Sequence, residues 1–450
     1  MHTRRESLTV FAIAGVCILL VAVAWSWIHL PTVVPMPQSR PVVLHYMGWG
    51  KESEIRGLRA QFDEFERQNP DVKIAITHVS GAYQTKLATM LAGGIGPDVF
   101  QLMEAMLPAL AERQLLLPLD NLVAADPQIQ LAEFFPQVVE CCRYKPQWST
   151  TPVLYRLPVS FITVVLYYNR DLFDAAGVPY PDDQWTWEDF RQAAQRLTRR
   201  DAHGQIRQFG CMGVGPWLSY LLLMWQNGGE CFDPNGKLVI GNPAYLAQNV
   251  EALQFCADLT YLDKVQPSGA VLEALPHNPF ESGQVAMMLT GTWEISELKK
   301  CQELRWAMAP LPRQTRRATM LFAGGAVINR QTKHPQEAWR LLKFFTADNQ
   351  QRTILRETPG LPAKIAIARQ WRSFAAEIAP EARMDVAFDA LAYARPQPCG
   401  RDVSPLLDNE VAQENDKIMS GMTGRNDIRQ ALLQLQKTFD TACPYCSRQP

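Results

Sequence analysis

The residues in this sequence that could do chemistry are aromatic and carboxylate side chains set beside glycines where apolar runs end. Trp49 stands between Gly48 and Gly50, just past Val42–Met47. Trp293 follows Gly291-Thr292 after the apolar run Val285–Leu289, and Trp217 follows Gly215-Pro216. Tyr83 opens a helical pattern, Glu104 lies just beyond Asp98–Met103, and Gly324-Gly325 precedes Ala326-Val327-Ile328. An aromatic face stacks on flat C–H surface, a carboxylate accepts from hydroxyls, and a glycine lets backbone approach a ligand. Such a set holds a molecule; it does not by itself break bonds. Each member has a competing reading: core packing for the aromatic residues, a solvated helix start for Glu104, a plain turn for the glycine pair.

Bond-making chemistry finds little support. The sharpest rival motif is Cys443-Pro444-Tyr445-Cys446, which looks like the redox pair of glutaredoxins, where a helix N-terminus lowers the first thiol's pKa. No strand and helix follow it here, so a local disulfide between Cys443 and Cys446 is the expectation. One Cys-x-x-Cys is half a zinc site, and the 7 histidines are scattered. Gly-x-Ser-x-Gly, His-Glu-x-x-His and the phosphate-cradling Gly-x-x-x-x-Gly-Lys are all missing. The chain is therefore read as a non-enzyme with no catalytic residue, metal or cofactor.

The elements that must position these residues alternate regularly. Val42–Met47 is a short strand; Ile55, Leu58, Phe62 and Phe65 then recur at helical spacing until Asn69-Pro70. Val72, Ile74 and Ile76 alternate as a strand, Tyr83, Leu87 and Leu91 form a helical face, and Asp98–Met103 is a third strand. This β-α-β-α-β run predicts a parallel sheet covered by helices, with Trp49 and Glu104 at the strand ends where ligands sit. The pattern restarts at Val153, with strands ending at Leu157 and Tyr168 and a capping-box-like Thr186-Trp187-Glu188-Asp189. Later strands are expected at Val285–Leu289, Trp306–Pro310 and Gly325–Asn329, and Ile428, Leu432, Leu435 and Phe439 share one helical face.

At 450 residues the chain exceeds the ~250–300 residues at which one core stops growing, so two lobes are expected. A net charge of -1 offers no field for nucleic acid, and Arg313–Arg317 reads as a solvated basic loop. Arg4 and Arg5 precede an uncharged apolar run, Leu8–Leu30. As a helix it would reach roughly 34 Å, enough for a bilayer core. Its length favours an uncleaved anchor over a signal cleaved near Ala22-Val23-Ala24, and both export the folded part. Residues 31–40 read as a proline-rich linker. Of the 10 cysteines, Cys17 lies in the apolar run; the rest are odd in number, so at least one should be free.

These segments, in this order, resemble the family 1 extracellular solute-binding proteins, the sugar receptors of ABC importers. The resemblance covers about 42–345. It rests on Ala60–Ile76, the turn Gly94–Asp98, Leu166–Phe173, Phe280–Met288 and Ala323–Phe345. It implies an α/β, two-lobed periplasmic-binding-protein (type II-like) fold, each lobe a sheet flanked by helices with a hinge between. Lobe one would be 41–157 and 310–358, lobe two 160–305 and 361–450. It further implies a monomer on the extracytoplasmic, periplasmic side of the inner membrane, delivering a neutral saccharide from the inter-lobe cleft to a membrane permease. Trp293 matches the family's stacking tryptophan. The alternative partner is a membrane signalling protein, with an anchored enzyme on the same scaffold less favoured.

Overall fold

Ile55, Leu58, Phe62 and Phe65 lie on the inner face of a helix that spans Glu52–Gln68. Phe62 and Phe65 are completely buried, Glu52 and Glu54 occupy its first turn and Arg67 its last, as the helix dipole favours. Asn69 closes it: its backbone N–H and its side-chain amide both donate to Phe65 O, and Pro70 cannot continue the ladder. The same logic holds at Thr186, whose hydroxyl accepts from Asp189 N while the Asp189 carboxylate accepts from Thr186 N, a complete capping box for helix Trp187–Leu197.

The computed structural model describes residues 40–50, 52–215, 217–234, 236–276, 278–357, 360–378, 380–397 and 425–442. The apolar run Leu8–Leu30, the Cys443–Cys446 pair and the Trp217 side chain lie outside what is described, although helix Trp217–Gln226 itself is within it. Among the described residues no helix is long and apolar enough to cross a membrane.

The first sheet has four strands. β1 (Val42–Gly48) is parallel to β2 (Val72–His78) in the register Val42↔Val72, and to β3 (Val99–Gln101) in the register Tyr46↔Val99. The parallel run expected from the helix–strand alternation is present. β12 (Ala326–Ile328) joins it antiparallel to β3, with Val327 opposite Phe100. The third strand is three residues long, shorter than the apolar pattern suggested, because the chain turns into a 3-10 segment at Glu104–Met106.

The second sheet has eight strands gathered around β6 (Ser160–Asn169), an apolar strand buried along most of its length. Pairing antiparallel to β6 are β9 (Val285–Gly291), β10 (Trp306–Ala309), β11 (Thr319–Gly324) and β13 (Leu361–Pro362). β8 (Ile206–Met212) runs parallel to β9, β7 (Arg199–Arg200) flanks β8, and β14 (Ala394–Pro396) runs parallel to β11. A small ribbon, β4 (Arg143–Tyr144) and β5 (Val153–Leu154), stands apart.

One pairing differs from the expected division of the chain. Residues 310–358 were assigned together to the first lobe, yet β11 is hydrogen-bonded into the second sheet, and β12 alone of the two enters the first. The chain changes sheets at Gly324-Gly325, not at Pro310. The physical reason is local. A Cβ on Gly324 would lie 2.0 Å from Ser160 Oγ, and Gly325 has φ +155°, a backbone state that side chains disfavour.

The helix carrying Ile428, Leu432, Leu435 and Phe439 spans Arg425–Ala442 and buries all four against the second core. Arg313–Arg317 is a loop, as expected, but not merely a solvated one. Arg316 donates to Trp225 O at the end of helix Trp217–Gln226 and pairs with Glu230 at 3.1 Å.

Candidate functional site: a cavity between the two sheets

Where β1 and β3 end, three residues brace one another. The Trp49 N–H donates to Gln101 Oε1 at 2.8 Å, so the strand-end backbone of β1 is held by a side chain from β3. Tyr83 lies edge-on to Trp49, ring centroids 4.7 Å apart. Its hydroxyl donates to Gln101 O at 2.7 Å, with Met47 O at 3.3 Å as a second acceptor. Burial pushes the Tyr83 phenol far above its ordinary value, which keeps it a donor. Tyr83 was expected as a ligand contact; the structure puts it behind Trp49, buried, and not on the cavity wall.

Trp293 is set by the second sheet. β9 runs out at Gly291, and the 3-10 turn Thr292–Glu294 folds the indole back over its own strand end. A Cβ at position 291 would lie 2.2 Å from the ring, so only glycine permits this placement. Phe322 of β11 flanks the indole at 6.0 Å.

Both constructions open on one cavity of about 680 Å³, within the ~300–1,000 Å³ of ligand sites. The first sheet and its helix contribute Tyr46, Trp49, Gln101, Glu104, Glu54 and Gln61; the second contributes Ser160, Ile162, Trp293 and Phe322, and the crossover contributes Gly324 and Gly325. Five of the seven residues singled out from sequence therefore share this wall: Trp49, Glu104, Trp293, Gly324 and Gly325. Tyr83 stands behind it, and the side chain of Trp217 lies outside the described residues.

The wall is chemically one-sided. It carries two carboxylates, Glu54 and Glu104, together with the amides of Gln61 and Gln101 and the hydroxyls of Ser80 and Ser160. No lysine, arginine or histidine is among the described lining residues. Glu104 Oε1 accepts from Ala323 N at 3.2 Å and from Arg156 Nη1 at 3.2 Å. Arg156 itself is fully buried behind the wall.

The sequence reading passed over Arg156, Glu54, Gln61 and Gln101. Three of these had a signal. Glu54, Leu58 and Gln61 share the inner stripe of their helix at i, i+4, i+7, so polar residues there should have marked a lined cavity. Arg156 sits alone inside the apolar run Val153–Leu157, and a buried charge requires partners.

The family model for bacterial extracellular solute-binding proteins matches residues 50–352. The chain belongs to that family. This solute-binding protein is 28% identical over 313 residues to the arabinooligosaccharide-binding protein of Bacillus subtilis, covering 64% of this chain and 67% of that one. It thus spans about two thirds of the length of that relative. Among solved structures, an ABC substrate-binding protein from Listeria monocytogenes in complex with cycloalternan superposes with a TM-score of 0.78 at 27% identity, over 89% of this chain and 99% of that one. Maltose-bound MalE3 of T. maritima gives a TM-score of 0.73 at 24% identity, covering 88% of this chain and 99% of that one, which speaks to the fold. The fold of this solute-binding protein is the two-lobed α/β architecture of those structures, with one mixed sheet per lobe.

Proposed function

We propose that this solute-binding protein captures a neutral saccharide in the cavity between its two sheets and presents it to an ABC-transporter permease, without catalysis. The observation that carries this is the pairing of Trp49 and Trp293, one from the end of each sheet, on a wall whose described residues carry carboxylate, amide and hydroxyl groups and no basic side chain. Saccharides offer flat C–H faces for indoles and hydroxyls that donate to carboxylates. Among the described residues an anionic ligand would meet two carboxylates and no cation. Support also comes from relatives and solved neighbours whose names and ligands are oligosaccharides.

Within this reading the two lobes hinge where the chain passes between sheets, near Pro158, at Gly324-Gly325 and just before Leu361. Leu8–Leu30 tethers the protein to the outer face of the inner membrane; retention in the membrane fraction after a carbonate wash checks this, and release overturns it.

The deciding experiment is a melting panel on the full chain with mono- and oligosaccharides, polyols, uronic acids and glycerol phosphates. A ligand at 100 times its Kd raises stability by about 2.7 kcal/mol, an obvious shift. Stabilisation by a neutral saccharide and none by the anionic compounds is expected. A flat response to every neutral saccharide sinks the proposal.

A further inference from the structure

Arg156 interrupts the run Val153–Leu157, and no part of it reaches solvent. A buried guanidinium needs acceptors on several sides, and this one takes them from separate segments. Nη1 donates to Leu102 O at 3.3 Å, just past β3 of the first sheet, and to Ala323 O at 2.9 Å, in β11 of the second. Nη2 donates to Cys141 O at 2.9 Å. The same Nη1 lies 3.2 Å from Glu104 Oε1, and that oxygen also accepts the Ala323 N–H.

Both backbone polar groups of Ala323 are therefore taken by one ion pair. Its position explains why. β14 covers β11 only from Thr319 to Leu321, and among the described residues no strand pairs with the edge at Ala323. The Arg156–Glu104 pair supplies the donor and acceptor that a strand would have supplied. Ala323 lies one residue before the crossover glycines, and Glu104 and Ala323 both line the cavity while Arg156 does not.

We propose that Arg156 is a positioning residue of the binding site: it fixes the Glu104 carboxylate on the cavity wall and, through Ala323, the crossover that forms the adjoining wall. The ligand named here rests on the saccharide reading above; the geometry does not. An acceptor held in place before binding loses little freedom when a hydroxyl arrives, which raises affinity without an extra contact. Lysine cannot replace arginine here, because a single ammonium on a flexible stem does not span acceptors on three segments.

The test uses the full chain with Arg156→Lys, Glu104→Gln and the double variant, read in two ways. The first is amide exchange at Ala323 without ligand. This amide is slow in the wild type despite its uncovered edge, and speeds up about tenfold or more in Arg156→Lys. The second is affinity for whichever saccharide best stabilises the wild type. Arg156→Lys weakens it about tenfold in the wild-type background, and less than about threefold in the Glu104→Gln background, because the arginine acts through that carboxylate. Equal factors in both backgrounds overturn the proposal. So does fast Ala323 exchange in the wild type, a measurement that stands even if Arg156→Lys does not fold. If no saccharide stabilises the wild type while Ala323 exchange responds to Arg156→Lys, the positioning geometry survives and the saccharide reading falls.

Discussion

Trp293 owes its orientation to the bare Cα of Gly291, and its partly buried side chain rests on Phe322 instead of in a closed core. Truncation should therefore separate binding from folding. Trp293→Ala is expected to weaken saccharide affinity at least about tenfold. It should cost well under the ~3–5 kcal/mol typical of a buried tryptophan. Calorimetric titration beside urea unfolding checks this, and parallel losses in both would identify Trp293 as packing. Much of the wall was legible at this scale, because a glycine next to an aromatic residue at a strand end is a local pattern. Tyr83 shows the limit. Its sequence neighbourhood places it near Trp49 but says nothing about the Gln101 and Met47 carbonyls that draw its hydroxyl inward.

At the scale of elements, helix Pro335–Thr346 shows how charge ties a helix to the first sheet's periphery. Asp126 accepts from Lys343 Nζ at 2.7 Å, from Trp339 Nε1 at 3.1 Å and from Gln128 N at 3.1 Å. Its partial burial alone would raise the carboxyl pKa, but the bonds from Lys343, Gln128 and Trp339 outweigh that and hold it below the ordinary value. The unfolded chain titrates near the usual ~3.9, so this stabilisation is complete above that pH and is lost as the pH falls through the lower, folded value. Asp126→Asn should lower stability at neutral pH by about 1–3 kcal/mol and flatten the acid limb below pH ~4. Urea midpoints across pH 2–7 check it; an unchanged acid limb would assign that limb to other carboxylates.

Element by element, amphipathic helices and alternating strands were readable, whereas β8 and β11 were not. β8 contains Gly210, where a Cβ would lie 2.0 Å from Ala194 O, so close helix–strand approach diluted its apolar signal. β11 is nearly all apolar, because both its faces are covered, and only Gly325 separates it from β12. Without alternation, nothing in the pattern showed which sheet it joins.

For the whole molecule, cysteine chemistry follows burial. None of the six described cysteines, adjacent Cys141 and Cys142 included, is in a disulfide. Burial pushes Cys142 up to about 11 and holds Cys211, Cys231 and Cys256 further above the usual thiol range. A thiol kept protonated and out of solvent is a poor nucleophile. Alkylation mapped by mass spectrometry should therefore leave these four unmodified in the native protein at pH 8 and label all four in denaturant. Rapid native labelling of any of them would show that its core opens locally. The odd cysteine number implies at least one free thiol; that Cys142, Cys211, Cys231 and Cys256 lie in core clusters was decided by packing.

The switch of sheets at Gly324-Gly325 also governs the order in which the chain can fold. β6 must wait for β9, β10 and β11, and β3 acquires its outer neighbour only when β12 is made. The first sheet can therefore be completed on a ribosome only once residue 328 has emerged, some 160 residues after the end of β6, and the second only once β14 has followed. Until β9, β10 and β11 have emerged, the apolar strand β6 lacks the long antiparallel partners that cover its edges.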